Sequence, residues 1–316
     1  MKALITCEIT DDGLQRLEAL GYEIHRAGWG LTRRVLATDE LIAAAQGAAL
    51  VLTELEVVDA AVLDALPELR LVGTARGGPV NVDLAACDTR GLPVLYTPAR
   101  NADSVADFVV GTILTLTRGI AAAERHLRDT GWQVDGELPY LHFRGPELSG
   151  LTVGVVGYGA IGRRVTQRLR EGFGTTVIVH DPVQGLGGSL ADVAAQADLL
   201  TVHCPRVPET RGLVDAELLA QLGAGWVVNT AGGGIVDEDA LCDALDADAL
   251  KGAALDCFAT EPLPRDSRLL RTRNLLLTPH LAGAADDVVR HHSNLLVSDV
   301  ERWHRGEALH HAAPSP

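Results

Sequence analysis

Short apolar runs alternate with amphipathic stretches along the first hundred residues. Ala3–Thr6 reads as a strand, and Asp11–Leu20 as a helix that opens on two acids and stops at Gly21. Tyr22–His25 and Ala48–Leu52 read as further strands, and a helix over Asp59–Leu66 ends at Pro67. Leu69–Gly73 and Val94–Tyr96 complete the set. Strands that alternate with helices need crossover connections, so the pattern predicts a parallel sheet in an α/β fold.

Asn101–Arg118 has little polar interruption and predicts a long helix packed on both sides, passing from one domain to the next. Residues 119–150, with Gly131, Pro139 and Pro146, read as a long excursion of little regular structure. Such segments are often functional or form interfaces. A second array starts at Leu151, with strands Thr152–Val156, Thr176–His180, Leu199–His203, Trp226–Asn229, Gly252–Asp256 and Leu275–Thr278. Six strands in doubly wound order match a complete dinucleotide-binding sheet. A last helix, Asp286–Arg305, is expected to return to the first domain, and the tail His310–Pro316 to fray.

Composition narrows the class. The 316 residues are 47% hydrophobic, enough for two domains with real cores, but only 4% aromatic, so packing rests on Ala, Val, Leu and Ile. The net charge of −15 disfavours nonspecific nucleic-acid binding and leaves room for a local basic pocket. Acids, arginines and glycines interrupt every apolar run, so no membrane span is expected. The first residues turn acidic too early for a secretory signal. Cys7, Cys87, Cys204, Cys242 and Cys257 are odd in number and scattered, without metal-like spacing. They read as reduced thiols of a cytoplasmic protein, with no metal expected.

The strand Val153–Val156 runs into Gly157-Tyr158-Gly159-Ala160-Ile161-Gly162 and then into a helix. Alone the pattern is weak, because the chain has 33 glycines. Its strand–turn–helix context makes it specific. Gly157 allows the tight turn, Gly159 lets a pyrophosphate approach the backbone, and Gly162 lets helix and strand pack closely. The amides of Ala160 and Ile161 would face the phosphates. The next strand ends at Asp181, whose carboxylate would accept from ribose hydroxyls and repel a 2′-phosphate, favouring NAD over NADP. The plain alternative is a structural glycine turn beside a solvated acid.

Two other positions carry candidate chemistry. His280 ends the last strand, at the sheet edge where open α/β folds bind ligands, and a histidine exchanges protons near neutral pH. Glu261, at a similar edge, can orient His280 and raise its basicity. The plain alternatives are an incidental histidine and an ordinary loop acid before Pro262.

The segment Asn229-Thr230-Ala231-Gly232-Gly233-Gly234-Ile235-Val236-Asp237-Glu238, together with the glycine turn and the Glu261 and His280 segments, resembles the NAD-dependent D-2-hydroxyacid dehydrogenases, in their phosphoglycerate dehydrogenase-like branch. The resemblance runs from the Arg76–Asp83 loop to Gly283, and the first seventy residues match only in their alternating pattern. It implies a Rossmann-type NAD domain, residues 100–283, inserted in a flavodoxin-like substrate domain made of residues 1–99 and 284–316. It implies a homodimer through the NAD domains, with residues 119–150 as a candidate arm, and a small anionic substrate. His280 would be the acid/base and Glu261 its orienter. Thr230, Ala231, Asp256, Gly283 and the loop His203-Cys204-Pro205 with Thr210 would contact NAD, although Asp256 equally suits a strand-end cap. Arg76-Gly77-Gly78 would bind the substrate carboxylate.

One position departs from the resemblance. Between Ala231 and Gly233 the family carries an arginine that grips the substrate, and here stands Gly232. A guanidinium fork binds a carboxylate bidentately, and glycine offers only its backbone. Losing one preorganised donor of this kind costs about 10²–10³ in rate. Arg76 and Arg100 are the candidate replacements, each equally readable as a surface arginine at a loop end. The sequence thus predicts an oxidoreductase that moves a hydride between NAD(H) and a small 2-hydroxy or 2-oxo acid, with weak or altered specificity. The alternatives are an NAD(H)-binding sensor or scaffold, and different redox chemistry on the same scaffold.

Overall fold

Parallel strands form two sheets in the computed structural model, which describes residues 1–314. The chain divides into two units: Met1–Asn101 with the segment that starts at Ala285, and Ala102–Ala284.

In the first unit β1 (Lys2–Ile5), β2 (Glu23–Arg26), β3 (Ala48–Thr53), β4 (Leu71–Thr74) and β5 (Val94–Leu95) are ordered β2-β1-β3-β4-β5. Every pairing is parallel, and the order is that of flavodoxin-like sheets. Both faces are covered. Ala3, Ile5, Leu50 and Leu52 pack on one side, and Leu4, Val51 and Val72 on the other. That is why these strands read as unbroken apolar runs. The helix Asp286–His304 belongs to this unit: Leu296, Val297 and Val300 enter the first of these clusters, and Glu301 pairs with Arg16 at 2.9 Å.

The tail was expected to fray, but it is held as far as Ala313. Tyr96 N donates to His311 O (3.0 Å) and Ala313 N to Val94 O (2.7 Å), extending the β5 edge. The buried carboxylate of Asp299 accepts from the amides of His310 and His311. These partners come from distant segments, which outweighs the local polarity of the tail. Ser315 and Pro316 lie outside the described residues.

In the second unit β6 (Thr152–Val156), β7 (Thr176–His180), β8 (Leu199–Val202), β9 (Trp226–Asn229), β10 (Gly252–Leu255) and β11 (Leu275–Leu277) are ordered β11-β10-β9-β8-β6-β7, all parallel. From β6 the chain winds first outward to β7 and then back across to β8. The direction therefore reverses between β6 and β8, the switch point where doubly wound sheets open a crevice. Val153, Val155 and Val228 pack against the helix Ala102–Thr117, while Leu200, Val202, Val227 and Leu255 pack on the opposite face. That helix is not covered all round. Asp103 and Asp107 meet Arg168 at 3.0 and 2.6 Å, and Asp107 and Gly111 face solvent.

Residues 119–150 hold more regular structure than their composition suggests. Ile120–Asp129 is a helix bent 58° from the preceding one, followed by a short helix at Pro139–His142. No residue of Ile120–Asp129 is buried, and its apolar side chains Ile120 and Leu127 are exposed. Among the described residues no single helix is long and apolar enough to cross a membrane.

Candidate active site

The glycine turn after β6 meets three different steric demands. Gly157 sits at φ +92°, and an ideal Cβ there would lie 2.6 Å from Cys204 N. A Cβ on Gly162 would lie 2.1 Å from Gly157 O, so the helix Ala160–Gln167 can rest on the turn only with glycine there. At Gly159 a Cβ would meet nothing within 4 Å, which leaves the backbone open to approach from outside. Gly159 caps the helix with no side-chain bond, so the amides of Ala160 and Ile161 are free for an anion.

At the tip of β7 the buried carboxylate of Asp181 accepts from Tyr158 N (2.7 Å), Gln184 N (3.0 Å) and Gln184 Nε2 (2.9 Å). Burial opposes its ionisation, but the amides of Tyr158 and Gln184 outweigh it and hold the carboxyl below its ordinary range. The acid is thereby tied to the glycine turn itself. Arg163 donates to Tyr158 O (3.0 Å) and reaches Gln184.

Past β8, His203 is buried, and burial pushes it down to about 3, so its ring is neutral. Its Nε2 lies 2.9 Å from Thr201 Oγ1, and its Nδ1 has no partner among the described residues. Past β9, Thr230 Oγ1 is likewise buried and unpartnered. Two orphaned polar atoms at adjacent strand ends, next to an open cradle of amides, fit a dinucleotide with its own donors and acceptors. The half-buried Cys204 thiol is pushed up to about 11 by burial and stays protonated.

Other cofactor candidates are committed within the protein. The Thr210 hydroxyl donates to Pro205 O (2.7 Å) and accepts from Val207 N (3.0 Å), knitting its loop. Ala231 N donates to Asn229 Oδ1 (3.0 Å), and Asn229 Nδ2 to Gly232 O (2.9 Å). Gly283 lies in the turn closed by Ala284 N and Leu281 O (2.8 Å). Asp256 is buried, and both its carboxylate oxygens are used. Oδ1 accepts from Thr278 Oγ1 (2.6 Å) and Leu281 N (2.8 Å), and Oδ2 from Ala282 N (2.8 Å). The capping role left open by the sequence is the one these bonds describe: Asp256 clamps the turn that carries His280.

His280 itself sits at φ +55°, a region few residues with a Cβ adopt, and its amide donates to Asp256 O (2.9 Å). Its Nδ1 lies 3.0 Å from Glu261 Oε2. Glu261 Oε1 accepts from Phe258 N (2.9 Å). Burial disfavours the Glu261 charge, but the hydrogen bonds from His280 and Phe258, with Arg206 nearby, hold its carboxyl below the ordinary range. An ionised Glu261 keeps the proton on Nδ1 and leaves Nε2 for a substrate.

Cys257 Sγ, Glu261 and His280 bring donor atoms within 4.8 Å of one another, types that zinc accepts. The buried Cys257 thiol is pushed up to about 12, which works against metal binding.

The two arginines proposed from sequence differ. Arg100 is engaged within the first unit by Glu54 (2.9 Å) and His292 Nδ1 (2.8 Å). Arg76 is half-buried, with its carbonyl accepting from Thr97 N (2.9 Å). Gly77 is exposed beside it, and a Cβ on Gly78 would meet nothing within 4 Å. Sequence reasoning missed Arg206. A Cβ at Gly232 would stand 3.1 Å from Arg206 Cβ, so this exposed arginine covers the position where a cation was expected. Its only signal was a basic residue directly after Pro205.

Residues 110–282 match the family model described as D-isomer specific 2-hydroxyacid dehydrogenase, NAD binding domain. The chain is 36% identical to YoaD of Bacillus subtilis (strain 168), whose name places it among the 2-hydroxyacid dehydrogenases, over 97% of this chain and 92% of that protein. It is 41% identical to the D-3-phosphoglycerate dehydrogenase of Mycobacterium tuberculosis (strain ATCC 25618 / H37Rv) over 78% of this chain, a match that spans about half (47%) of that enzyme. The crystal structure of an NADPH-dependent glyoxylate/hydroxypyruvate reductase from Sinorhizobium meliloti, in complex with NADP and malonate, superposes with a TM-score of 0.76 at 30% identity, covering 99% of this chain and 97% of that one. With its glycine turn and its paired acid and histidine, this chain belongs to the D-isomer specific 2-hydroxyacid dehydrogenase family.

Proposed function

We propose that this protein interconverts a small 2-oxo acid and its 2-hydroxy acid, using NAD(H) in preference to NADP(H). The observation that carries this reading is the 3.0 Å contact between His280 Nδ1 and Glu261 in the NAD-binding unit. Bound cofactor supplies or accepts the hydride. The protein's own groups do the rest. Glu261 fixes the His280 ring through Nδ1, and Nε2 delivers a proton to the developing alkoxide or removes one from the hydroxy acid. Asp256 keeps that ring in place through the 278–282 turn. Asp181 favours NAD, because a carboxylate held ionised repels a 2′-phosphate.

We assign cofactor binding to residues 100–283 and substrate selection to residues 1–99 and 284–316, where the partly exposed Arg76–Gly78 loop offers amides to an anion. The protein acts as a homodimer through the NAD-binding unit. Exposed Ile120, Leu127, Trp132, Leu138, Tyr140 and Leu141 in the 119–150 segment support a surface that a partner covers. Five free cysteines support a reducing, cytoplasmic setting.

The test is oxidation of NADH and NADPH with glyoxylate, hydroxypyruvate, pyruvate and phosphohydroxypyruvate, for the wild type and His280→Gln. Saturable turnover of at least one acid that falls about 10²–10⁴-fold in His280→Gln supports the reading. Tight NADH binding with no turnover of any acid overturns it in favour of an NAD(H) sensor.

A further inference from the structure

A 2-oxo acid needs a cation for its carboxylate, and the NAD-binding unit carries one beside the acid–base pair. Arg206 stands on the loop after β8, and its stem crosses Gly232: an ideal Cβ at 232 would lie 3.1 Å from Arg206 Cβ and 3.5 Å from its Cδ. Gly232 is buried although it has no side chain. The backbone then leads directly to the chemistry. A Cβ on the neighbouring Gly233 would stand 1.7 Å from Phe258 O. Phe258 N donates to Glu261, and Glu261 holds His280. Arg206 makes no hydrogen bond or salt bridge among the described residues, and its charge contributes to holding the Glu261 carboxyl low.

We propose that Arg206, lying across Gly232, is the anchor for the substrate carboxylate, and that glycine at 232 is the space its stem requires. This rests on the dehydrogenase reading above. Any larger residue at 232 would press on the stem and move the guanidinium.

The experiment titrates oxalate, a small dianion, into the NADH-loaded protein by calorimetry and measures KM and kcat for the fastest 2-oxo acid. Arg206→Gln keeps the stem over Gly232 and removes the charge. Arg206→Lys restores a charge without the fork, and Arg211→Gln, an exposed arginine of the same loop, is the control. Arg206→Gln should weaken oxalate binding and raise KM roughly tenfold to hundredfold. NADH affinity and melting temperature should stay unchanged, Lys should recover part of the loss, and the control should match the wild type. The proposal is overturned if Arg206→Gln binds oxalate like the wild type, if it loses NADH affinity instead (a cofactor-phosphate contact), or if the wild type binds no oxalate. Turnover and oxalate binding separate the two claims: a wild type that reduces no 2-oxo acid sinks the dehydrogenase reading, while the oxalate titration still decides Arg206.

Discussion

Asp256→Asn separates two roles for a strand-end acid in this fold. If Asp256 clamps the turn below His280, the damage should fall on stability and on kcat. If it contacts the cofactor, the damage should fall on NADH affinity. In the structure its two oxygens take three hydrogen bonds, at 2.6, 2.8 and 2.8 Å. Asparagine preserves shape and keeps Oδ1 as acceptor for Thr278 Oγ1 and Leu281 N, but it sets an NH₂ against the amide of buried Ala282. Hydrogen bonds to a charged group contribute about 1.5–3 kcal/mol, so one lost bond with two donors facing each other costs at least that much. For a unit of this size the melting temperature should drop by roughly 5 °C. The His280 amide is bonded to the main chain of Asp256, so the ring shifts without leaving Glu261. A displacement near 1 Å costs about 10²-fold in kcat. Thermal melts, stopped-flow turnover and NADH fluorescence titration together check this. An Asn variant that melts like the wild type but has lost NADH binding would refute the clamp.

Four further outcomes follow from the cofactor side. Gly162→Ala places a Cβ 2.1 Å from Gly157 O, where neither backbone can yield, and should cost about 1–3 kcal/mol of stability as well as NADH affinity. Gly159→Ala adds its Cβ to open space and should weaken NADH binding while the melting curve stays put, so equal melts for the two variants would contradict the reading. Asp181→Ser should raise the NADPH:NADH ratio of kcat/KM, and an unchanged ratio would remove Asp181 from cofactor choice. Hydrogen bonds hold the Asp181 carboxyl below its unfolded value, so its stabilising contribution is full above that value and is lost as pH falls through the lower, folded one. The stability gap between the wild type and Asp181→Asn, followed by urea melts, should therefore be constant near neutrality and close in acid.

Both sheets were legible because burial on two faces forces continuous apolar runs, as in Val153–Val156 and Leu199–Val202. The Glu261–His280 pairing was legible for a different reason: few residue types exchange a proton near neutral pH, and the two stand 3.0 Å apart. What stayed hidden lacks a local signature. The helix Ile120–Asp129 buries nothing, and the edge pairing of Leu95 with Ala312 joins residues far apart in the chain. Asp256 looks the same in sequence whether it faces a ligand or clamps a turn, and its three donors come from a segment more than twenty residues on.

Arg206 is the instructive case, because its signal was present but needed topology to be read. The gap at Gly232 stands out as a departure from a pattern, and the sequence offers Arg76 and Arg100 of the first unit as replacements. Yet the predicted strands ending at His203 and Asn229 were already candidates for one parallel sheet. In the structure β8 and β9 are neighbours, with Val202 opposite Asn229. Parallel neighbours deliver their following loops to the same edge, so the residues shortly after each strand emerge side by side. Arg206 and Gly232 are such residues. A charge missing from one loop is therefore best sought first in the loop of the adjacent parallel strand, where a side chain can cross the strand spacing of about 4.8 Å and reach the vacated position. Arg100 is already engaged by Glu54 at 2.9 Å, and a guanidinium paired with one carboxylate holds a second anion less strongly.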